Sequence, residues 1–167
     1  MPMTALVPVF DLDGTLVDSD AALRDAFVAL GVPAAEVTFG HVLAEECDRL
    51  GIMVEDYVAV YDPSLVRPFD GVSELVAGLD RWAVCSNKHT ESGRAELARL
   101  GWHPDVALFT EDFASRPKQL QPVLTALGLD ASEVLFVGDT VHDRRCAAGV
   151  GCRFAWAGWN PRAAPAG

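Results

Sequence analysis

The chain is predicted to be an α/β protein, with a three-layer core around a mostly parallel sheet and a small helical cap inserted after the first strand. Three observations predict it. Short apolar runs each end in a cluster of polar residues. Segments of helical periodicity lie between them, several closed by glycine. From Val17 to Arg67 the alternation breaks, and helical segments occur there without a convincing strand.

The first apolar run, Val7 to Leu12, leads into Asp13-Gly14-Thr15. Pro8 cannot donate a ladder hydrogen bond, so it is expected to mark that strand's opening residue. Ala21–Leu30 closes at Gly31, Val42–Leu50 closes at Gly51, and Tyr57–Tyr61 precedes Asp62-Pro63; these three segments are the expected cap helices. Val72, Leu75, Val76 and Leu79 share one helical face. The second strong run, Trp82–Cys85, leads into Ser86-Asn87-Lys88. Glu91–Leu100 then forms a helix stopped by Gly101, and Val106–Phe109 is a weaker strand. Pro122–Leu127 ends at Gly128. Val134–Val137 runs into Gly138-Asp139-Thr140, and Cys152–Trp156 is the last strand. Asn160 to Gly167 reads as a frayed tail. Continuous apolar runs suit strands buried on both faces. Strands alternating with helices imply βαβ units, and hence a Rossmann-like core of residues 1–16 and 68–167 with a cap of residues 17–67. Ligands of such sheets bind beyond the carboxyl ends of the strands, where all three polar clusters fall.

Composition removes several function classes. The 167 residues carry 24 acidic against 13 basic side chains, a formal charge of −11. That argues against a broad nucleic-acid surface and against an anionic membrane, both of which need clustered Lys and Arg. No apolar run approaches the roughly 20 residues that span a bilayer. The start, Met1-Pro2-Met3-Thr4, has no basic n-region, so a soluble cytoplasmic protein is expected. The four cysteines show no C-x-x-C pair and no zinc-ligand spacing with the four histidines, which favours structural thiols.

The strongest chemical signal is Phe10-Asp11-Leu12-Asp13-Gly14-Thr15-Leu16. Carboxylates two apart at a strand's end point the same way, and Gly14 permits a tight turn after them. With no basic residue beside them in sequence, they repel each other unless a cation or proton intervenes. An acidic helix cap would not require this spacing. A calcium loop would need an acid at its twelfth position, which here is Ala22. Asp139 and Asp143 are four apart at a predicted helix start and share a face. Alone they fit helix capping as well as ligation; beside the first pair they form an oxygen-rich magnesium site. Ser86 and Asn87 offer a hydroxyl, an amide and backbone N–H groups suited to phosphate oxygens. Lys118, after Arg116-Pro117, is the cation that four gathered acids would need.

Asp-x-Asp-Gly-Thr, then Ser-Asn, then Lys after Pro, then Gly-Asp-x-x-x-Asp, resembles the haloacid dehalogenase superfamily over Phe10 to Asp143. Phe-Asp-Leu-Asp-Gly-Thr-Leu-Val-Asp-Ser and Ser-Asn-Lys are similar to its phosphoglycolate-phosphatase-like branch. The resemblance implies that Asp11 is a nucleophile forming an aspartyl-phosphate, and that Asp13 is the acid and then the base. It implies magnesium held by Asp11, the Asp13 backbone carbonyl, Asp139 and Asp143. It also implies a phosphoryl group gripped by Ser86, Asn87 and Lys118. Asp13 favours phosphate chemistry, because the dehalogenases of the superfamily lack an acid there. A mutase or phosphotransferase stays open, with Gly138-Asp139 favouring a hydrolase. So does a non-catalytic phosphate- or partner-binding module.

Two departures from the family pattern carry expectations. Lys118 is followed by Gln119-Leu120-Gln121-Pro122 instead of Pro-x-Pro, and lies closer to Gly128 than the family spacing. A helix shortened by about one turn, with the lysine kept in place, accounts for this. The cap is also small; Arg24, His41, Arg49 and Arg67 are its candidates for touching an anionic substrate, none of them singled out. The expected substrate is a small phosphorylated metabolite.

Overall fold

The computed structural model describes residues 4–163. Five strands form one parallel sheet in the order β5-β4-β1-β6-β7: β1 Val7–Phe10, β4 Ala83–Cys85, β5 Val106–Leu108, β6 Val134–Gly138 and β7 Arg153–Trp156. The α/β prediction therefore holds; four strands are a residue or two shorter than their apolar runs, and β6 is one residue longer. β1 pairs β4 on one side, from Val9↔Ala83, and β6 on the other, from Val7↔Val134. Pro8 is the second residue of β1 and not its opening one. It is tolerated in a central strand because pairing with β4 begins only at Val9.

Alternate residues of each strand enter opposite cores, as the two-residue period requires. Phe10, Val84 and Val137 pack with Trp82, Leu97, Trp102 and Phe109 on one face. Val9, Ala83, Cys85 and Phe136 pack with Val123, Leu124 and Ala147 on the other. The helices that supply these contacts are α5 Thr90–Leu100 on the first face, and α6 Gln121–Leu127 and α7 Val141–Val150 on the second. The helix α4, Val72–Ala77, stops at Gly78, before the predicted Leu79.

Between β1 and α4 lie α1 Asp20–Ala29, α2 Leu43–Leu50 and α3 Val54–Val60. They share a separate apolar cluster of Ala26, Phe27, Val32, Val37, Cys47 and Tyr57. Where sequence shows no strand, β2 Val17–Asp18 pairs antiparallel with β3 Arg67–Pro68 and closes the base of this insertion. Two-residue strands leave no periodic pattern to read. Among the described residues no helix is long and apolar enough to cross a membrane.

The frayed tail is a correction over Asn160–Ala163, the remainder lying outside the described residues. Asn160 is buried and donates its amide to the Gly14 carbonyl at 2.7 Å. Trp159 donates its indole N–H to the Thr15 carbonyl at 2.7 Å. The acceptors belong to the first motif's turn, far away in sequence, so a local reading of polar residues misses them.

Candidate active site

β1 is flanked by strands from both halves of the chain, so the crevice beyond its carboxyl end is the sheet's switch point. Asp11 is the first residue past it, tied to the sheet by its N–H to the Val137 carbonyl at 3.0 Å. The chain then turns tightly, with Gly14 N–H donating to the Val17 carbonyl at 2.9 Å. Gly14 has φ of +78°, and a Cβ there would overlap the Asp139 carboxylate. Both facts demand glycine.

The Asp11 carboxylate is buried. Its Oδ1 accepts the Leu12 N–H at 2.8 Å and lies 3.0 Å from Lys118 Nζ. Lys118 Nζ also sits 2.6 Å from Asp143 Oδ1. The seven-residue α6 is preceded by Ala114 and Ser115, both left-handed at φ of 53° and 58°. This bend redirects the chain after the turn at Thr110–Phe113, and the Lys118 N–H is then anchored on Asn87 Oδ1 at 2.7 Å.

Asp143 serves two ends. Its Oδ2 accepts the N–H groups of Asp139 and Thr140 at 3.0 and 3.1 Å, while Thr140 Oγ1 accepts the Asp143 N–H, a reciprocal helix cap. Its Oδ1 faces the site. Capping and cluster membership, alternatives in the sequence, coexist on one carboxylate. Gly138 leaves room for it, since a Cβ there would overlap that carboxylate. Asp139 accepts the Thr15 hydroxyl on Oδ1 and the Arg162 guanidinium on Oδ2, each at 3.0 Å.

Asp11, Asp139 and Asp143 can each place one oxygen within 4.8 Å of the others. Burial, reinforced by the neighbouring carboxylates, drives Asp11 well above the usual carboxylate range even against Lys118. Burial and then Asp143 raise Asp139 as well. For Asp143 burial also pushes upward, but Lys118 and the backbone N–H bonds outweigh it and hold its pKa down. Lys118 goes the other way: burial disfavours its charge, yet Asp11 and Asp143 keep it protonated. With all three ionised, the buried carboxylates would outnumber the facing Lys118 and Arg162 by one, the imbalance a bound cation would remove. The donor set is all hard oxygen, with no imidazole or thiolate in the cluster, which fits a small divalent cation such as magnesium.

Asp13 stands outside that cluster. Lys88 Nζ holds its two oxygens at 3.1 and 3.2 Å, and also reaches the Tyr61 hydroxyl at 3.1 Å and Glu96 at 3.5 Å. Lys88 and Arg162 are the functional candidates that sequence reasoning missed. Lys88 follows Ser86-Asn87 directly and carried a usable signal; nothing in the sequence tied Arg162 to Asp139. The repulsion expected of a first motif with no basic residue beside it is thus relieved by lysines brought in from distant loops. Ser86 is buried at the end of β4, its hydroxyl accepting the Lys88 N–H at 3.0 Å. Asn87 spans two parts of the molecule, donating to the Gly40 carbonyl of the insertion at 3.0 Å while receiving the Lys118 N–H. Of the insertion candidates, Arg49 is turned onto Glu46 and the Glu36 carbonyl, Arg24 pairs with Asp25, and His41 lines the cavity over the site. Arg67 lies in β3, exposed. All four cysteines are free, and burial raises the Cys47 and Cys146 thiols to about 11.

Residues 9–157 match the family model described as haloacid dehalogenase-like hydrolase. An N-acetylmuramic acid 6-phosphate phosphatase of Pseudomonas aeruginosa is 28% identical, the match covering 88% of this chain and 79% of that protein. A phosphoglycolate phosphatase of Mesorhizobium japonicum is 29% identical over 89% of this chain and 81% of its own. The fold is shared with a solved haloacid dehalogenase-like hydrolase from Bacteroides fragilis, at a TM-score of 0.76 and 22% identity over 90% of this chain and 86% of that one. With the match spanning both halves of the sheet and every acidic residue of the crevice, the chain belongs to the haloacid dehalogenase-like hydrolase family.

Proposed function

We propose that the chain is a magnesium-dependent phosphatase that hydrolyses a small phosphate monoester, a phosphorylated metabolite of the cytoplasm, through an aspartyl-phosphate. The observation that carries this reading is Asp11: a buried carboxylate whose rotation is fixed by Leu12 N–H and Lys118, beside an all-oxygen cluster. Relatives named as phosphatases support the same class of chemistry. Asp11, Asp139 and Asp143, with the Asp13 backbone carbonyl, would hold the magnesium ion, which supplies charge neutralisation for the transferring phosphoryl group.

The chain's own residues do the rest. An Asp11 oxygen attacks phosphorus as the ester oxygen leaves, and Asp13 in its acid form gives that oxygen a proton. Asp13, now a carboxylate, takes a proton from water; the water oxygen attacks phosphorus, and Asp11 leaves as a carboxylate with release of phosphate. Ser86, Lys118 and backbone N–H groups at Asn87 offer donors to the phosphoryl oxygens. The helical insertion acts as a cap over the crevice, excluding bulk water.

Hydrolysis of p-nitrophenyl phosphate tests this. Turnover should require magnesium, vanish with chelator, and fall at least about 10³-fold in Asp11→Asn. Undiminished turnover in Asp11→Asn would remove the covalent mechanism, and transfer of phosphate to a second hydroxyl would replace the hydrolase with a mutase.

A further inference from the structure

Between the insertion and the strand ends lies a cavity with about 670 Å³ of empty space, its mouth included. Its floor carries Asp11, Asp13, Ser86 and Lys118. Its far wall is Leu23, Phe27, Phe39, Leu43, Tyr57 and Tyr61, four aliphatic or phenyl side chains and two hydroxyl-bearing rings. A phosphoryl group on the floor therefore points its ester oxygen at an aromatic and aliphatic surface.

The charges around that wall are already committed. Lys88, which also lines the cavity, is held by Asp13 and Glu96. Lys118 lies between Asp11 and Asp143 on the floor. Arg49 is folded onto Glu46, and Arg162, stacked on Phe39, is spent on Asp20 and Asp139. Glu46 itself lines the cavity as a carboxylate, and its charge is favoured because the bonds from Arg49 and Thr38 outweigh its burial. Among the described residues only the imidazoles of His41 and His89 remain on the lining to meet a second anion. A substrate carrying a carboxylate or second phosphate in its leaving group would set that charge against apolar surface and the already paired Glu46, with no uncommitted Lys or Arg on the lining to meet it.

We infer that this cavity selects phosphate monoesters of uncharged, ring-bearing alcohols and rejects those with a second anionic group. This rests on the phosphatase reading and adds the leaving-group class. Rings offer flat faces to Phe39, Tyr57 and Tyr61, and neutrality avoids Glu46.

Three primary-alcohol esters with the same phosphoryl chemistry test it: benzyl phosphate, 4-carboxybenzyl phosphate and phosphoglycolate. The expected result is a kcat/KM for benzyl phosphate at least about tenfold above both anionic esters. Leu43→Arg, which adds a cation to the wall away from the reacting atoms, should shrink that ratio. Equal or reversed preference in the unaltered protein would overturn the inference. Binding of benzylphosphonate against 4-carboxybenzylphosphonate, followed by calorimetry with magnesium present, reads the same selectivity without turnover. If no ester is hydrolysed but benzylphosphonate binds at least tenfold tighter, the phosphatase reading fails and the pocket assignment stands. If neither phosphonate binds, or the carboxylated one binds as well, the pocket assignment fails.

Discussion

Lys88 and Lys118 divide the labour that the first motif alone cannot perform. Each is buried, and each faces two carboxylates: Lys118 joins Asp11 to Asp143, and Lys88 joins Asp13 to Glu96. Lys118→Ala should therefore cost about 10² or more in kcat, measured under saturating magnesium. Lys88 carries a separable structural charge. Glu96 is almost wholly buried, and burial raises its pKa to about 7 even with Lys88 beside it. Lys88→Met strands that charge, and about 3–5 kcal/mol of stability should be lost in urea unfolding at pH 8. Adding Glu96→Gln should restore most of the stability while leaving turnover low, because Asp13 is still untethered. Recovery of both together would assign Lys88 to stability alone. Asp11, Asp13, Ser86, Asn87, Asp139 and Asp143 were legible as site candidates because each sits at a strand end or turn whose chemistry is local, and Lys118 because four gathered acids need a cation. The partners that hold them were not, since Lys88–Asp13 and Arg162–Asp139 exist only after the strands are side by side.

At the scale of elements, the helices were readable because apolar spacing and closing glycines are short-range signals. What sequence missed were devices that depend on pairing or on backbone strain: the β2–β3 ribbon, and the left-handed Ala114-Ser115 that delivers Lys118 despite a short α6. The insertion has a lock of its own. Glu46, near the start of α2, accepts the Thr38 N–H at 2.9 Å and the Thr38 hydroxyl, and pairs with Arg49. Its pKa is depressed because these bonds outweigh the burial that would raise it. A depressed folded pKa means stability that is complete above the ordinary carboxylate value and lost as pH falls through the folded one. Glu46→Gln should lower Tm by roughly 2–4 °C at pH 7, as loss of about 1 kcal/mol would. The gap between the two proteins should close on acidification below about pH 4. A gap that widened instead would reverse the assignment.

Over the whole molecule, a charge of −11 is concentrated inward as well as outward, since Asp11, Asp139 and Asp143 are among its most buried side chains. The sheet order places β1, the earliest strand, between β4 and the late-arriving β6. The same late segment supplies Asp139, Asp143 and the Arg162 that grips both Asp139 and Asp20. During synthesis Asp11 thus emerges long before Asp139 and Asp143, the flanking β6 and the Arg162 that ties the insertion's first helix to the crevice. The buried acidic cluster is incomplete until the segment through Asp143 is out. A chain stopped at Glu133, which lacks β6 and two of the three clustered carboxylates, should show no cooperative melting transition and no phosphate release.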